Sequence, residues 1–283
     1  MYQIEKNIFY ILQQSVELLK SHNIAEAQLD AEVMLCDVLK VSRSKLYTIC
    51  KNLITEEQYK QYEIYLKRRI KREPIAYILR NTEFMGLTFK VDSNVLIPRQ
   101  ETELLVEQVN KFIKENNSKR ILDLCTGSGC IAVSVAHYND NIFVVASDVS
   151  KNAIEIAKYN AVINNVSNKI NFIESNMFDN IINEKFDIII SNPPYVTEDE
   201  YKSLEKEIFF EPKTAFLAGK DGLIFYKIIA DKAKQYLNSK GLLILELNSN
   251  ISLQIADLFN KFFSVRIIKD YSNLDRILMA QNG

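Results

Sequence analysis

From Arg120 to Gln281 the chain alternates short apolar runs with amphipathic stretches: "RILDLCTGSG" then "CIAVSVAHY", "IFVVASDVS" then "NAIEIAKYNAVINN", "INFIESNMF", "FDIIISNPPY", "GLIFYKIIADKAKQYLNSK" then "GLLILELNS". Strand-length apolar runs separated by helix-period segments bury both sheet faces when the strands run mainly parallel and helices cover each side. An α/β fold with a mostly parallel sheet is the expectation for this part.

The amino-terminal stretch has a different texture. From Met1 to about Arg80 apolar residues recur at helical spacing, as with Ile8, Ile11, Leu12, Val16, Leu18 and Leu19, and an all-helical domain over 1–80 is expected. Thr55 and Gln58 have the form of a capping box opening a helix that Pro74 ends. The basic tail of that helix, Lys67, Arg68, Arg69, Lys71 and Arg72, reads as a solvated face matching the negative end of a helix dipole, with contact to an RNA or a partner as the sharper alternative. Between the two parts, residues 81–98 alternate Phe84, Leu87, Phe89 and Val91 with polar or small residues and carry Gly86 and "DSN", which predicts a β-hairpin linker before a unit spanning 99–283.

With 283 residues, 47% hydrophobic and 25% charged, the chain can build a sizeable core. Net charge is −1 and the pI about 6.2, which argues against a dedicated duplex binder, and no stable nucleic-acid binding is expected. Cys36, Cys50, Cys125 and Cys130 show no CxxC spacing, and no metal is expected. No apolar stretch reaches membrane-span length and no signal-peptide pattern opens the chain; a cytoplasmic protein, free of the membrane and monomeric, is expected.

Three segments carry chemistry. Gly127 and Gly129 follow the first strand of the α/β part, where a ligand can approach the backbone, and Asp123 stands just before that turn. Asp148 ends the next strand about 20 residues later, where an acidic side chain accepts hydrogen bonds from both ribose hydroxyls of a nucleoside cofactor. That spacing suits a dinucleotide as well as S-adenosylmethionine, because Ala132 stands where the dinucleotide fingerprint allows Gly or Ala. The segment that decides between them is "NPPY", Asn192 to Tyr195, at the carboxyl end of the fourth strand. Methylating a planar NH₂ group requires acceptors for its two N–H bonds. The Asn192 side-chain oxygen and the Pro193 carbonyl can supply them, Pro193 and Pro194 stiffen the loop without competing donors, and Tyr195 can stack on the flat group or attract a methylsulfonium.

Together "DLCTGSGCIA", "SDVS", "SNPPY", "EPKTAFLAGKDGLIFY", "REPIAYIL" and "LIPRQETELLVE" resemble the HemK/PrmC family, the peptide chain release factor glutamine methyltransferases, over nearly the whole chain. The resemblance implies a Rossmann-like seven-stranded class I methyltransferase sheet behind a small helical domain that helps hold the protein substrate. It implies methyl transfer from S-adenosyl-L-methionine to the side-chain amide of the glutamine in the GGQ motif of release factors. It assigns cofactor contacts to Cys125, Thr126, Gly127, Ser128, Gly129, Asp148, Met177 and Asn192, with Met177 on the adenine side. Catalysis falls to Asn192, Pro193 and Tyr195, and substrate binding to Asn192, Pro193, Pro194 and Tyr195. Glutamine methylation of a ribosomal protein and N6-adenine methylation of nucleic acid are the alternatives, since they share the same acceptors. The sequence departs from the family at Gln100 for Pro, Arg80 and Cys125 for Gly, and Asn248 for Gly, where Asn is expected to keep a left-handed turn.

Overall fold

The computed structural model describes residues 7–282, and the first six residues of the expected helical domain lie outside it. The chain forms two compact units, Met1–Arg80 with Lys206–Phe210, and Asn81–Glu205 with Glu211–Gly283.

In the first unit five helices, α1 (Ile8–Ser21), α2 (Ala27–Leu39), α3 (Arg43–Thr48), α4 (Glu56–Arg69) and α5 (Ile75–Leu79), enclose a core that includes Leu19, Met34, Leu35, Leu46 and Tyr62. The starts of α1, α3 and α4 are set by side chains that accept otherwise orphaned N–H groups. Asn7 accepts from Tyr10, and Thr55 with Gln58 forms the reciprocal capping box. The basic end of α4 is not a solvated face. Arg69 is buried and donates to Asp30 at 2.7 Å and to Glu207 at 3.0 Å, Arg72 donates to Glu207 at 2.8 Å, and Arg68 donates to Glu73 and to the carbonyls of Tyr77 and Ile78. The chain doubles back through Pro74 into α5, laying carbonyls and carboxylates on these guanidiniums. Lys67 and Lys71 stay exposed.

The second unit opens with the hairpin β1 (Asn81–Phe84) and β2 (Leu87–Lys90). Its turn is Met85-Gly86, both at positive φ (52° and 70°), the geometry that matches strand twist; "DSN" forms a separate turn in which Asp92 accepts from Asn94. Phe84 and Phe89 enter the core of this unit, and Asn160 bonds both backbone groups of Lys90, so the hairpin is part of the α/β body.

A 3-10 turn (Gln100–Thr102) leads into α6 (Glu103–Asn116). Then follow β3 (Arg120–Leu124), α7 (Cys130–Tyr138), β4 (Phe143–Asp148), α8 (Lys151–Ile163), β5 (Ile170–Glu174), β6 (Phe186–Ser191), α9 (Glu198–Lys202), α10 (Ile224–Tyr236), β7 (Leu237–Glu246), α11 (Ser252–Phe259), β8 (Ser264–Lys269) and β9 (Asp275–Gln281). The seven-stranded sheet has the order β5-β4-β3-β6-β7-β9-β8, with β9 antiparallel to both neighbours and the other pairings parallel. Alternate residues of each central strand face opposite cores. Ile121, Val144, Ile188 and Ile190 meet Val106 and Val109 of α6 and Val133 of α7, while Leu122, Val145, Ile189 and Leu243 meet Tyr226 and Ile229 of α10 and Phe259 of α11. The chain winds from β3 outward to β5 and then crosses back to β6 on the other side. That reversal opens a crevice at the carboxyl ends of β4, β3 and β6.

Candidate active site

Register fixes what shares the crevice. Leu124 pairs with Ser147 on one side and Ser191 on the other, so Cys125, Asp148 and Asn192 leave three adjacent strands at one level. One cavity is lined by Cys125, Gly127, Asp148, Met177, Asn192 and Pro194 of the residues singled out above. Its wall also takes Asn94, Val95 and Leu96, Val149, Ser150 and Ala153, Ser175 and Asn176, then Pro212, Thr214, Ala215 and Phe225. Thr126, Ser128 and Gly129 are not in the wall. Thr126 and Ser128 are buried behind it, Thr126 donating to Asp123 at 2.6 Å and the Ser128 carbonyl accepting from Asn160 at 2.8 Å. Gly129 caps α7 at φ 78°, where an added Cβ would meet the Cβ of Ala157 at 2.9 Å, so only glycine allows this close turn. Pro193, buried, and Tyr195, half-buried against the core, also lie outside the wall.

Asp148 is held by its own turn: Oδ2 accepts from the Gly127 N–H at 2.9 Å and Oδ1 from the Ser150 N–H at 2.9 Å. Burial raises its carboxyl, and those backbone bonds offset only part of the rise. The "NPPY" loop is fixed from beyond its end. Val196 donates to the Phe216 carbonyl at 2.8 Å and accepts from Ala218 at 2.9 Å, and Gly222, at φ 70°, leaves room for the Tyr195 carbonyl, which an added Cβ would meet at 2.7 Å. This explains the second glycine in "AGKDGL". Glu211 accepts from Arg99 and from the Ile97 N–H at 2.8 Å, which ties the "EPK" segment to "IPR".

Two fully enclosed carboxyls stand under this edge. Asp123 keeps one oxygen without a hydrogen-bond partner among the described residues, and burial pushes its carboxyl up to about 7. Glu246, at the end of β7, accepts from Thr102 at 2.6 Å, and burial pushes it to about 7 also. A carboxyl whose folded value exceeds its unfolded one favours folding at low pH, and that contribution is lost as pH rises through the folded value. The Tm of the ligand-free protein is therefore expected to fall as pH rises from about 5 to 7. In thermal scans across that range Asp123→Asn or Glu246→Gln should flatten the slope; an unchanged slope in both would show that neither carboxyl titrates there.

Residues 99–226 match the family model described as the methyltransferase small domain, and residues 11–79 match that of the PrmC N-terminal domain. The chain is 39% identical to a release factor glutamine methyltransferase of Clostridium acetobutylicum over 90% of this chain and 91% of the relative. It is 40% identical to one of Buchnera aphidicola over 97% and 99%. The chain belongs to the release factor glutamine methyltransferase family. Among solved structures, a methyltransferase from Pyrococcus furiosus shares the fold with a TM-score of 0.51 and 21% identity, over 80% of this chain and 98% of that one. A T. thermophilus 16S rRNA methyltransferase in complex with AdoMet and guanosine gives a TM-score of 0.52 at 16% identity, over 72% and 50%.

Against the family's glycines, Arg80 and Cys125 are informative. Both adopt left-handed backbone (φ 61° and 59°), a conformation that costs an L-residue energy and that glycine would adopt freely. Asn248 does otherwise. Its φ is −75°, not left-handed, and its Oδ1 accepts from the Asn250 N–H at 3.0 Å, so the side chain makes the turn that glycine would make by backbone freedom.

Proposed function

We propose that this protein transfers a methyl group from S-adenosyl-L-methionine to the side-chain amide nitrogen of the glutamine in the GGQ motif of peptide chain release factors. The observation that carries the reading is one cavity shared by Asp148, Gly127 and Met177 with Asn192 of "NPPY". The residues present fit a nucleoside-bearing donor. Each Asp148 oxygen accepts one backbone N–H and keeps a lone pair for a ribose hydroxyl, and a Cβ on Gly127 would meet nothing within 4 Å, so the space over the turn is open. The Cys125 to Gly129 turn, Asp148 and Met177 would hold the cofactor, Met177 bordering the adenine, with Asn192 in the wall of the same cavity. When bound, S-adenosylmethionine supplies an electrophilic methyl.

The protein's own part is to hold a weak nucleophile. An amide nitrogen shares its lone pair with its carbonyl, so it must be oriented and its growing positive charge offset. Asn192 Oδ1 and the Pro193 carbonyl accept its two N–H bonds, Pro193 and Pro194 fix those acceptors, and Tyr195 supports substrate positioning at the loop's end. The helical unit serves recognition of the release factor. The reading implies work in the cytoplasm, beside translation, and no helix among the described residues is long and apolar enough to cross a membrane.

The test is competition for label. With methyl-labelled S-adenosylmethionine and a mixture of release factors, ribosomal proteins and DNA, the release factors are expected to take it up. Label in a ribosomal protein or in adenine instead would overturn the assignment.

A further inference from the structure

Asn192 can act as an acceptor only if its carboxamide is turned the right way. The two ends of that group are nearly equal in size, and the flipped form would present N–H donors to a substrate amide that itself offers N–H. The structure contains a device that selects between them. Thr102 Oγ1 lies 2.6 Å from Glu246 Oε2 and 3.3 Å from Asn192 Nδ2. A hydroxyl has one proton and two lone pairs. With Glu246 ionised and that proton directed to it, Thr102 offers Asn192 only a lone pair, which an Nδ2–H can use and an Oδ1 cannot.

The fold puts these three groups together from distant parts of the sequence. Ser191 pairs with Leu245, so Asn192 and Glu246 follow on adjacent strands, and Thr102 arrives from the 3-10 turn before α6. Thr102 and Glu246 are 2% and 3% exposed, so bulk water does not compete for the hydroxyl. The charges of Arg276 and Glu101 act on the Glu246 carboxyl, and Tyr226 donates to its backbone carbonyl at 2.9 Å, which fixes the strand end that carries it.

We infer that Thr102 and Glu246 are positioning residues that hold the Asn192 amide with Oδ1 toward the substrate nitrogen. This rests on the role proposed above for Asn192, and it gives the threonine of "IPRQET" a function that reaches substrate only through Asn192.

The test compares Thr102→Val, which keeps the shape and loses the hydroxyl, with Thr102→Ser, which keeps the hydroxyl. Single-turnover methylation of a release factor and calorimetric affinity for S-adenosylmethionine are measured on both. Thr102→Val is expected to slow turnover about tenfold, the weight of one ordinary hydrogen bond, with cofactor affinity unchanged. Thr102→Ser should restore a rate within about threefold of wild type, and Thr102→Val added to Asn192→Ala should slow the reaction no further, because groups acting through one atom are not additive. Should Thr102→Val fail to fold, Glu246→Gln carries the test: its amide no longer dictates where the hydroxyl proton goes, and turnover should fall with cofactor affinity intact. A wild-type rate in the variant tested, failure of serine to rescue, or full additivity with Asn192→Ala overturns the inference while leaving the function standing. A near wild-type rate for Asn192→Ala itself overturns the proposed role of Asn192 and this inference together.

Discussion

Asn192→Ala is expected to slow single-turnover methylation by about 10²–10³, at saturating cofactor and release factor, while cofactor affinity changes little. The size follows from the kind of interaction. A neutral hydrogen bond contributes about 0.5–1.5 kcal/mol net, roughly tenfold, whereas a fixed acceptor whose bond strengthens as positive charge grows on nitrogen acts mainly on the transition state. The loop geometry supports the larger figure. Its prolines, the bonds of Val196 to Phe216 and Ala218, and the close approach at Gly222 leave the acceptors little to reorganise during the reaction. A rate within about threefold of wild type would reduce "NPPY" to a proline turn.

Asp148→Ala is expected to weaken S-adenosylmethionine binding about tenfold to a hundredfold, since charge-assisted hydrogen bonds are worth roughly 1.5–3 kcal/mol. The same carboxylate also accepts from Gly127 and Ser150, so its removal loosens the glycine turn, and a lowered Tm should accompany the lost affinity. Asp148→Asn keeps one acceptor oxygen and should fall between wild type and alanine. Calorimetry on the folded variants reads both; unchanged affinity in Asp148→Ala would move the ribose elsewhere.

Local signals in the sequence carried far. The capping box at Thr55 and Gln58, the helical periodicity before Arg80 and the strand–helix alternation after Arg120 depend on neighbours within a turn or two, and the structure has each of them. The basic run after Tyr65 misled for the opposite reason. Arg69 and Arg72 meet Glu207, more than a hundred residues away, and no local pattern announces a partner at that separation. Asn160 was equally silent: it sits within an ordinary amphipathic helix, yet its amide joins the Ser128 carbonyl of the glycine turn to the hairpin at Lys90. The cavity could be read in part. Strand ends announce themselves by glycine, aspartate and proline, which brought out Gly127, Asp148 and Asn192, whereas Asn94, Thr214 and Phe225 reach the same wall from loops and a helix whose paths only the fold determines. Thr102 left a trace only as part of a motif and Glu246 only as the end of an apolar run, because their pairing needs β6, β7 and the start of α6 to be assembled first.

The most direct measurement is site-resolved mass spectrometry of a release factor after incubation with this protein and S-adenosylmethionine, run beside the same factor with its GGQ glutamine replaced by alanine. The expected result is one added methyl on the side-chain amide of that glutamine and none on the replaced factor. A methyl on any other residue, or equal modification of the replaced factor, would contradict it.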